Sequence, residues 1–313
     1  MNNSDFLNPL NSNQLISMDK YFIEMIDLFK MEKFPKVLLL NGKKGIGKFT
    51  LVFHFLNYIF SQNEKNPYNL KTKSINIKSI FYNQLLSQTN QNVLFIKAEE
   101  NKNIKIEEIR NLKALLSSSS LSKNPRFIII DEVEFMSESS VNALLKPLEE
   151  PSINNFFILI NNQQAELLKT ISSRCIKKNI FLSNNDTNEI INFFLDKNDI
   201  EDLLIDKKDL TPGLFLRFNS MYLKYKISKN ENIVDKIKKL LVGYKKDKNK
   251  TLISLCLFLI DQYFLKSIQS NEKRLDFLLN LKSDINKNLN DFIYYNLNIN
   301  SVLNSIEVKL NNV

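Results

Sequence analysis

The sequence predicts an α/β domain built on a parallel sheet, followed by domains made of helices. Two observations predict the first part: short apolar runs recur along the first 180 residues, and apolar residues at helical spacing lie between them. Strands that alternate with helices indicate a parallel sheet with helices on both faces. The apolar runs lie at residues 37–40, 93–96, 127–130 and 156–160. Beyond residue 181 only helical periodicity remains, so we expect the rest of the chain to be α-helical.

The elements of the α/β part follow in chain order. Residues 15–34 carry apolar side chains at helical spacing and end before Pro35, so they predict a leading helix. The run at 37–40 is short and continuous, as in a strand buried on both faces, and apolar residues 51–60 are long enough for a helix. Polar residues 61–74 predict an inserted loop. Further helices are predicted at residues 104–116 and 139–148, the second with a kink at Pro147, which removes a backbone N–H group.

Apolar periodicity predicts helices throughout the second half of the chain. Asn184, Asn185 and Asp186 are N-cap candidates for a helix over residues 188–195. Later helices are predicted over residues 211–225, 233–241, 251–268 and 274–297. We therefore divide the chain into three domains: an α/β domain at 1–179, a small helical domain at 180–221 and a C-terminal helical bundle at 222–313.

Composition excludes several classes of protein. The 313 residues are 43% hydrophobic, which excludes a wholly disordered chain. Cys175 and Cys256 lie far apart, so neither a disulfide framework nor a four-ligand zinc site is predicted. No run of 18 apolar residues occurs, and we expect a cytoplasmic protein without a membrane partner. The net charge is +9, with 16 Lys/Arg against 9 Asp/Glu in residues 221–313. Those lysines could meet nucleic acid or an acidic partner, or simply be solvated.

Three of the five glycines form a phosphate-loop motif. Gly42, Gly45, Gly47 and Lys48 match G-x-x-x-x-G-K between a buried strand and a helix, where backbone N–H groups and the lysine cradle phosphates. The next residue should be Ser or Thr to hold Mg²⁺, and here it is Phe49. Thr50 follows, but its hydroxyl points about 100° away. The alternative is that the loop survives as a helix-capping turn without hydrolysing nucleotide.

Two carboxylates follow the strand predicted at 127–130. Asp131 would orient Mg²⁺ and its water, and Glu132 would polarise the attacking water. Without a hydroxyl at position 49, the alternative is that both are relics of a lost ATP site. His54 is the lone histidine and is predicted to be a packed or surface side chain rather than a catalytic one.

The order of five sequence blocks resembles the AAA+ clamp-loader family. The blocks are GKKGIGK (42–48), FIIIDEVE (127–134), SVNALLKPLEEP (140–151), ILINN (158–162) and TISSRC (170–175). The first two occur in P-loop NTPases generally, whereas the NALLK-LEEP and SRC blocks at these separations are specific. The resemblance covers residues 15–181, and the remainder only in architecture. It implies an α/β P-loop (AAA+) domain, a helical lid domain and an all-α collar domain.

The resemblance also assigns roles to single residues. Arg174 of the SRC block would be a trans arginine finger that reaches the ATP site of a neighbouring subunit, because its planar guanidinium stays charged and grips phosphate oxygens. A surface ion pair is the alternative for Arg174. Asn162 aligns with a polar sensor position, or it caps a turn. Cys175 would be a small packed residue, since no histidine accompanies it.

Departures from the family pattern indicate the type of subunit. Motor subunits of the gamma/tau type are expected to keep the hydroxyl after the lysine, a four-cysteine zinc module and a sensor arginine in the lid. Here Phe49 follows the lysine, and residues 61–92 contain no cysteine. In the sequence TPGL (211–214), Leu214 occupies the position where the sensor arginine of the lid is expected. We therefore predict a largely non-hydrolysing subunit of the replicative polymerase holoenzyme. The alternative is an ATP-hydrolysing subunit of the gamma/tau type.

The resemblance further implies partners and cofactors. The partners would be gamma/tau and delta subunits in a hetero-pentamer, the sliding clamp, and primer-template DNA, with Arg110 and Lys113 as basic residues on a helix that could face DNA or solvent. No cofactor is predicted with certainty: ATP with Mg²⁺ is the alternative that Phe49 argues against. No metal site is predicted.

Overall fold

A computed structural model describes residues 7–98, 103–117, 124–204, 207, 209–270 and 274–311. Within these residues the chain forms two compact units. The first comprises residues 1–199 with 211–213, and the second comprises residues 200–210 with 214–313. The three-domain division stays a prediction.

The first unit is built on a parallel sheet. The strands of this sheet are β1 (Val37–Asn41), β2 (Val93–Lys97), β3 (Arg126–Asp131), β4 (Asn155–Asn161) and β5 (Ile176–Asn179), in the order β2-β3-β4-β1-β5. Every pairing among them is parallel. The predicted parallel sheet is therefore confirmed, with β5 as an edge strand that the polar sequence IKKN did not reveal.

Helices cover both faces of the sheet. In chain order the helices of the first unit are α1 (Asp19–Lys30), α2 (Lys48–Ser61), α3 (Ile80–Leu86), α4 (Ile106–Ser117), α5 (Glu138–Glu149), α6 (Lys169–Ser172) and α7 (Asn184–Lys197). Side chains of β1 to β4 alternate between two cores: Leu38 and Leu40 enter the core with α1 and α2, whereas Val37 and Leu39 enter the core with α4 and α5. This alternation explains why the central residues of β1 to β4 are apolar at successive positions.

The second unit is all-helical, as predicted. It contains the larger part of α8 (Pro212–Lys224), then α9 (Ile233–Asp247), α10 (Lys250–Ser270), α11 (Leu275–Tyr295) and α12 (Ile299–Leu310). Helix α10 is long and apolar enough to cross a membrane by length and composition. Its fully buried residues Leu252, Leu255 and Ile260 instead contribute to the core of this unit.

Several local predictions change in the structure. Helix α7 begins at Asn184, so the predicted N-caps are wrong: the cap is Ser183, whose hydroxyl accepts from the Asp186 N–H group in a reciprocal capping box. Helix α5 continues through Pro147 to Glu149, so the proline does not end the helix, and the bend stays a prediction. Helices α3 and α12 were not predicted.

The predicted loop at residues 61–74 is tied to α2 by buried hydrogen bonds. His54 is fully buried, with its Nδ1 2.9 Å from the Tyr68 hydroxyl and its Nε2 2.8 Å from the Ser12 carbonyl oxygen. A carbonyl only accepts, so Nε2 carries the proton and Tyr68 donates to Nδ1. One neutral imidazole thus joins the N-terminal segment, the inserted loop and α2, which confirms His54 as a packed residue.

Burial makes His54 a source of pH-dependent stability. Desolvation lowers the pKa of His54 to about 4, against the hydrogen bond to Ser12 that raises it. The unfolded chain binds a proton below about pH 6.5, whereas the folded chain excludes it until about pH 4. We expect the free energy of unfolding to fall by about 2 kcal/mol between pH 7 and pH 5 from this group alone. Urea unfolding of the wild-type chain and of His54→Gln measures the difference.

The single histidine makes this test direct, because any imidazole signal in NMR belongs to His54. An imidazole that titrates near pH 6.5 in the folded chain, or an equal loss of stability in His54→Gln, would contradict the prediction.

Candidate functional site

The candidate site lies where β1, β3 and β4 end at the same edge of the sheet. After β1 the chain turns through the glycine motif, in which Gly45 and Gly47 have φ angles of 85° and 93°. Only glycine adopts such angles without strain. Gly47 is the last residue before α2, so the predicted strand, phosphate loop and helix are present as expected.

Lys48 is turned toward its own loop. Its Nζ donates to the carbonyl oxygens of Gly42 at 2.7 Å and Lys43 at 2.8 Å, and the residue is only 3% exposed. Burial lowers the pKa of Lys48 to about 8, while the nearby carboxylates of Asp131 and Glu134 oppose that shift. At neutral pH the ammonium is charged, and its hydrogen bonds stabilise the loop itself.

The structure brings Asp131, Glu132 and Asn162 together beside this loop. Asp131 Oδ1 accepts from the Glu132 N–H group at 3.0 Å and from Asn162 Nδ2 at 3.2 Å. Glu132 has a left-handed φ of 59° and forms a 2.7 Å ion pair with Lys44. The carboxylate that would polarise water is therefore engaged by a lysine of the phosphate loop.

Glu134 completes the buried acidic group, and sequence reasoning missed it. Its Oε1 accepts from the Asn162 N–H group at 2.9 Å, and the side chain is 8% exposed. Desolvation raises the pKa of Glu134 above its ordinary value. The contact fixes the backbone of Asn162, while the amide of Asn162 reaches Asp131. Asn162 therefore joins the ends of β3 and β4 rather than only capping a turn.

Phe49 replaces the magnesium ligand with an aromatic contact. Its ring lies 5.5 Å from that of Phe95 on β2, and the side chain packs against the core on the α1 and α2 side of the sheet. Mg²⁺ requires oxygen ligands in an octahedral arrangement, and Phe49 offers none. Thr50 is partly buried. No group of three His, Cys, Asp or Glu residues suited to a metal occurs in the described part of the chain. The residues present do not fit the magnesium site of a P-loop ATPase.

Residues 211–213 pack directly on the phosphate loop. Thr211 Oγ1 donates to the Lys44 carbonyl at 2.7 Å, and the Gly213 N–H group donates to the Gly45 carbonyl at 2.8 Å. A side chain at position 213 would place its Cβ 2.9 Å from Gly45 Cα, so this approach requires glycine. Carbonyl groups of the loop are thus satisfied within the protein.

A row of asparagines lies at the ends of three neighbouring strands. Asn161 Nδ2 donates to Asn41 Oδ1 at 2.8 Å, and Asn41 Nδ2 donates to Asn179 Oδ1 at 2.8 Å. The sheet register pairs Asn41 with both partners. Each of the three asparagines is the last residue of its strand. Because Asn is abundant throughout the sequence, this shared position was not recognised as a structural pattern. The row fixes the sheet where the phosphate loop leaves β1.

Arg174 is the central residue of the SRC triplet, and its hydrogen bonds do not reach the phosphate loop. Its Nε and Nη2 contact Glu149 Oε1 at 2.6 and 2.5 Å, and Nη1 donates to the Thr170 carbonyl at 2.9 Å. The arginine side chain is 31% exposed and that of Glu149 is 47% exposed. The two most specific sequence blocks of the chain therefore meet in one surface ion pair.

Cys175 packs as expected. Its thiol donates to the Ile171 carbonyl at 3.1 Å, and burial raises the pKa of this thiol to about 11. A thiol of that pKa stays protonated at neutral pH and is a poor nucleophile.

The phosphate loop, the strand order and the acidic residues after β3 define a P-loop protein of the AAA+ class. A family model described as "DNA polymerase III, delta subunit" matches residues 18–182, more than half of the chain. The chain belongs to this family, and the resemblance to clamp-loader subunits is confirmed.

Individual relatives agree with this assignment. The chain is 29% identical over 158 residues to DNA polymerase III subunit delta' of Buchnera aphidicola subsp. Schizaphis graminum, a match that covers 50% of this chain and 46% of that protein. It is 29% identical over 142 residues to the protein of the same name in Pseudomonas aeruginosa, covering 45% of this chain and 41% of that protein. The matches thus span less than half the length of these relatives.

A solved structure supports the fold. A gamma subunit-related protein of DNA polymerase III from Thermotoga maritima is similar with a TM-score of 0.50 and 18% identity, over 92% of this chain and 98% of that chain.

The asparagine row gives a prediction about stability. Asn41→Ala removes two hydrogen bonds and leaves the amide of Asn161, which is 7% exposed, without its partner. We expect a loss of about 2–3 kcal/mol of unfolding free energy. Asn179→Ala on the exposed edge strand should cost less than about 1 kcal/mol, because water replaces the lost partner. Urea midpoints of both variants at unchanged m-value measure these costs, and equal losses would refute a central role for Asn41.

Proposed function

We propose that this chain acts as a clamp-loader subunit of the delta prime type, which does not hydrolyse ATP itself and lends Arg174 to the ATP site of a neighbouring gamma/tau subunit. The observation that carries the proposal is the position of Arg174 on the surface, bonded to Glu149 and not to its own phosphate loop. Family membership supports the clamp-loader role. Glu132, Asp131, Asn162, Thr50 and the loop glycines are then the remnant of an ATP site.

The ion pair with Glu149 suits an arginine that changes partners. Both side chains are partly exposed, and exposed ion pairs contribute only about 0–1 kcal/mol. Exchange of the Glu149 oxygen for phosphate oxygens of a neighbouring nucleotide therefore costs little. The hydrogen bond from Nη1 to the Thr170 carbonyl remains available to hold the guanidinium in place. A fixed, charged fork is the geometry that stabilises charge on a transferred phosphoryl group.

Exposed apolar side chains in the second unit support assembly with other subunits. Exposed apolar residues on α11 and α12 are Leu275, Phe277, Leu279, Tyr294, Tyr295 and Val308. Tyr294 and Tyr295, whose ring centroids lie 5.1 Å apart, are of the aromatic type that is enriched at protein interfaces. We assign them to a collar shared with gamma/tau and delta subunits in a hetero-pentamer. That complex would load the sliding clamp onto primer-template DNA in the cytoplasm.

Replacement of Arg174 tests the proposal. In the reconstituted complex, Arg174→Ala should reduce single-turnover ATP hydrolysis at the adjacent gamma/tau site by about 10³-fold, because trans arginines contribute that much or more to phosphoryl transfer. Clamp loading should fall with it. Arg174→Lys should recover little, since an ammonium lacks the planar fork.

Two further variants serve as controls. Lys177→Ala removes an exposed cation three residues away and should leave hydrolysis unchanged. Glu149→Gln frees the arginine from its ion pair and should preserve activity. Wild-type rates in an assembled Arg174→Ala complex would refute the arginine finger.

The second candidate function is that of an ATP-hydrolysing motor subunit. Lys48, Asp131 and Glu132 favour it, as does 30% identity over 166 residues to DNA polymerase III subunit gamma of Buchnera aphidicola subsp. Schizaphis graminum, covering 50% of this chain and 41% of that protein. Phe49 and the Lys44–Glu132 ion pair argue against it.

Nucleotide turnover by the isolated chain separates the two candidates. We expect wild-type hydrolysis to equal that of Lys48→Ala, because position 49 supplies no magnesium ligand. Phe49→Thr should gain affinity for ATP in the presence of Mg²⁺ but not of EDTA, as measured by calorimetry. Magnesium-dependent turnover by the wild-type chain that Lys48→Ala abolishes would establish the motor function instead.

A further inference from the structure

The positive charge of the second unit is concentrated in one short stretch of sequence. Residues 221–250 contain ten lysines and three acidic residues, whereas residues 251–313 contain six basic and six acidic residues. The stretch comprises the end of α8, the turn before α9, α9 itself and the start of α10. These 30 residues thus carry a net charge of +7, out of +9 for the whole chain.

Hydrogen bonds hold this stretch together and use two of its three acids. Asp247 Oδ2 accepts from Lys224 Nζ at 2.6 Å and from the Tyr225 hydroxyl at 2.5 Å, which joins the end of α8 to the end of α9. Glu231 Oε1 accepts from Lys239 Nζ at 2.6 Å. Only Asp235 remains to balance the other lysines.

Five of the eight remaining lysines are exposed cations. Lys226, Lys238, Lys246, Lys248 and Lys250 are all exposed, and none has an acidic partner within 4 Å among the described residues. We call these five residues the lysine surface. Lys238 and Lys246 are eight residues apart on α9, about 12 Å along the helix axis. Duplex DNA carries one charge per about 1.7 Å of axis, so this spacing spans several phosphates.

The aromatic rings of this stretch are already covered by its own lysines. Lys236 lies over the Tyr222 ring at 5.8 Å, Lys224 over Tyr225 at 5.3 Å and Lys248 over Tyr244 at 5.6 Å. Single-strand binding depends on free aromatic faces for base stacking. With its rings engaged, this surface offers cations to phosphates and no platform for bases.

We propose that the lysine surface binds the phosphate backbone of double-stranded nucleic acid without sequence preference. An acidic protein partner fits less well, because stable protein interfaces are anchored by buried apolar or aromatic residues. On the exposed face of α9 the large apolar side chain is Val242, 51% exposed. The site lies in the second unit and does not depend on the role proposed for Arg174.

Salt-dependent binding of the full-length chain tests the proposal. The probe is a fluorescent 20-base-pair DNA duplex, with affinity measured by anisotropy between 50 and 200 mM salt. Each phosphate contact contributes about −0.9 to the slope of log affinity against log salt. The triple variant Lys238→Gln, Lys246→Gln, Lys250→Gln should therefore reduce the magnitude of that slope by about 2–3 and weaken binding at least tenfold.

A charge-matched control distinguishes binding by the lysine surface from a general effect of lowering the net charge of the protein. Lys20→Gln, Lys33→Gln, Lys65→Gln removes three exposed lysines from the first unit and should leave the slope unchanged. Equal effects of the two triple variants, or absence of binding by the wild-type chain, would overturn the proposal. Tighter, surface-dependent binding of a single strand would overturn the preference for a duplex. Equally effective competition by polyglutamate at the same charge concentration would assign the surface to an acidic polypeptide instead.

Discussion

The parallel register of β4, β1 and β5 is the constraint on which the candidate site depends. In that register Asn161, Asn41 and Asn179 stand side by side and hydrogen-bond in one row. Buried amides need partners, and a one-residue slip would separate all three. Because the phosphate loop begins directly after Asn41, the row also fixes where that loop starts. The loop glycines shape the turn, but the row and the sheet position it.

Around that fixed point, the residues predicted for an ATP site make contacts with the protein itself. Lys48 donates to carbonyls of its own loop, Lys44 pairs with Glu132, and Phe49 packs on Phe95. The two lysines are thus bonded within the protein, and the Phe49 ring is packed against another ring. The geometry of the phosphate loop is therefore compatible with a purely structural loop. The shape of the phosphate loop requires only its glycines and the strand register. ATP hydrolysis would also require a side-chain oxygen at position 49 to bind Mg²⁺.

The predicted loop at residues 61–74 lies between the phosphate loop and the carboxylates after β3, and it is anchored by hydrogen bonds and packing. Motor subunits were expected to carry a four-cysteine zinc module there, and this chain has no cysteine in residues 61–92. A neutral His54 between Tyr68 and Ser12 holds the segment instead. Phe60 stacks on Phe81 at 4.7 Å beside it. Apolar packing and one buried imidazole thus supply the cross-links, at the cost of sensitivity to acid.

The sequence by itself determined the parallel sheet, the phosphate loop, the helical second half and the family. These follow from local signals: continuous apolar runs, glycines at fixed spacing and short specific blocks. It did not determine β5, whose polar residues gain strand structure only by pairing with β1, nor Ser183 as a cap, because several adjacent residues could serve. Tertiary structure alone decided the asparagine row, Glu134 beneath Asn162, and the pairing of Arg174 with Glu149. Each joins residues more than 20 positions apart, and such contacts leave no periodicity in the chain.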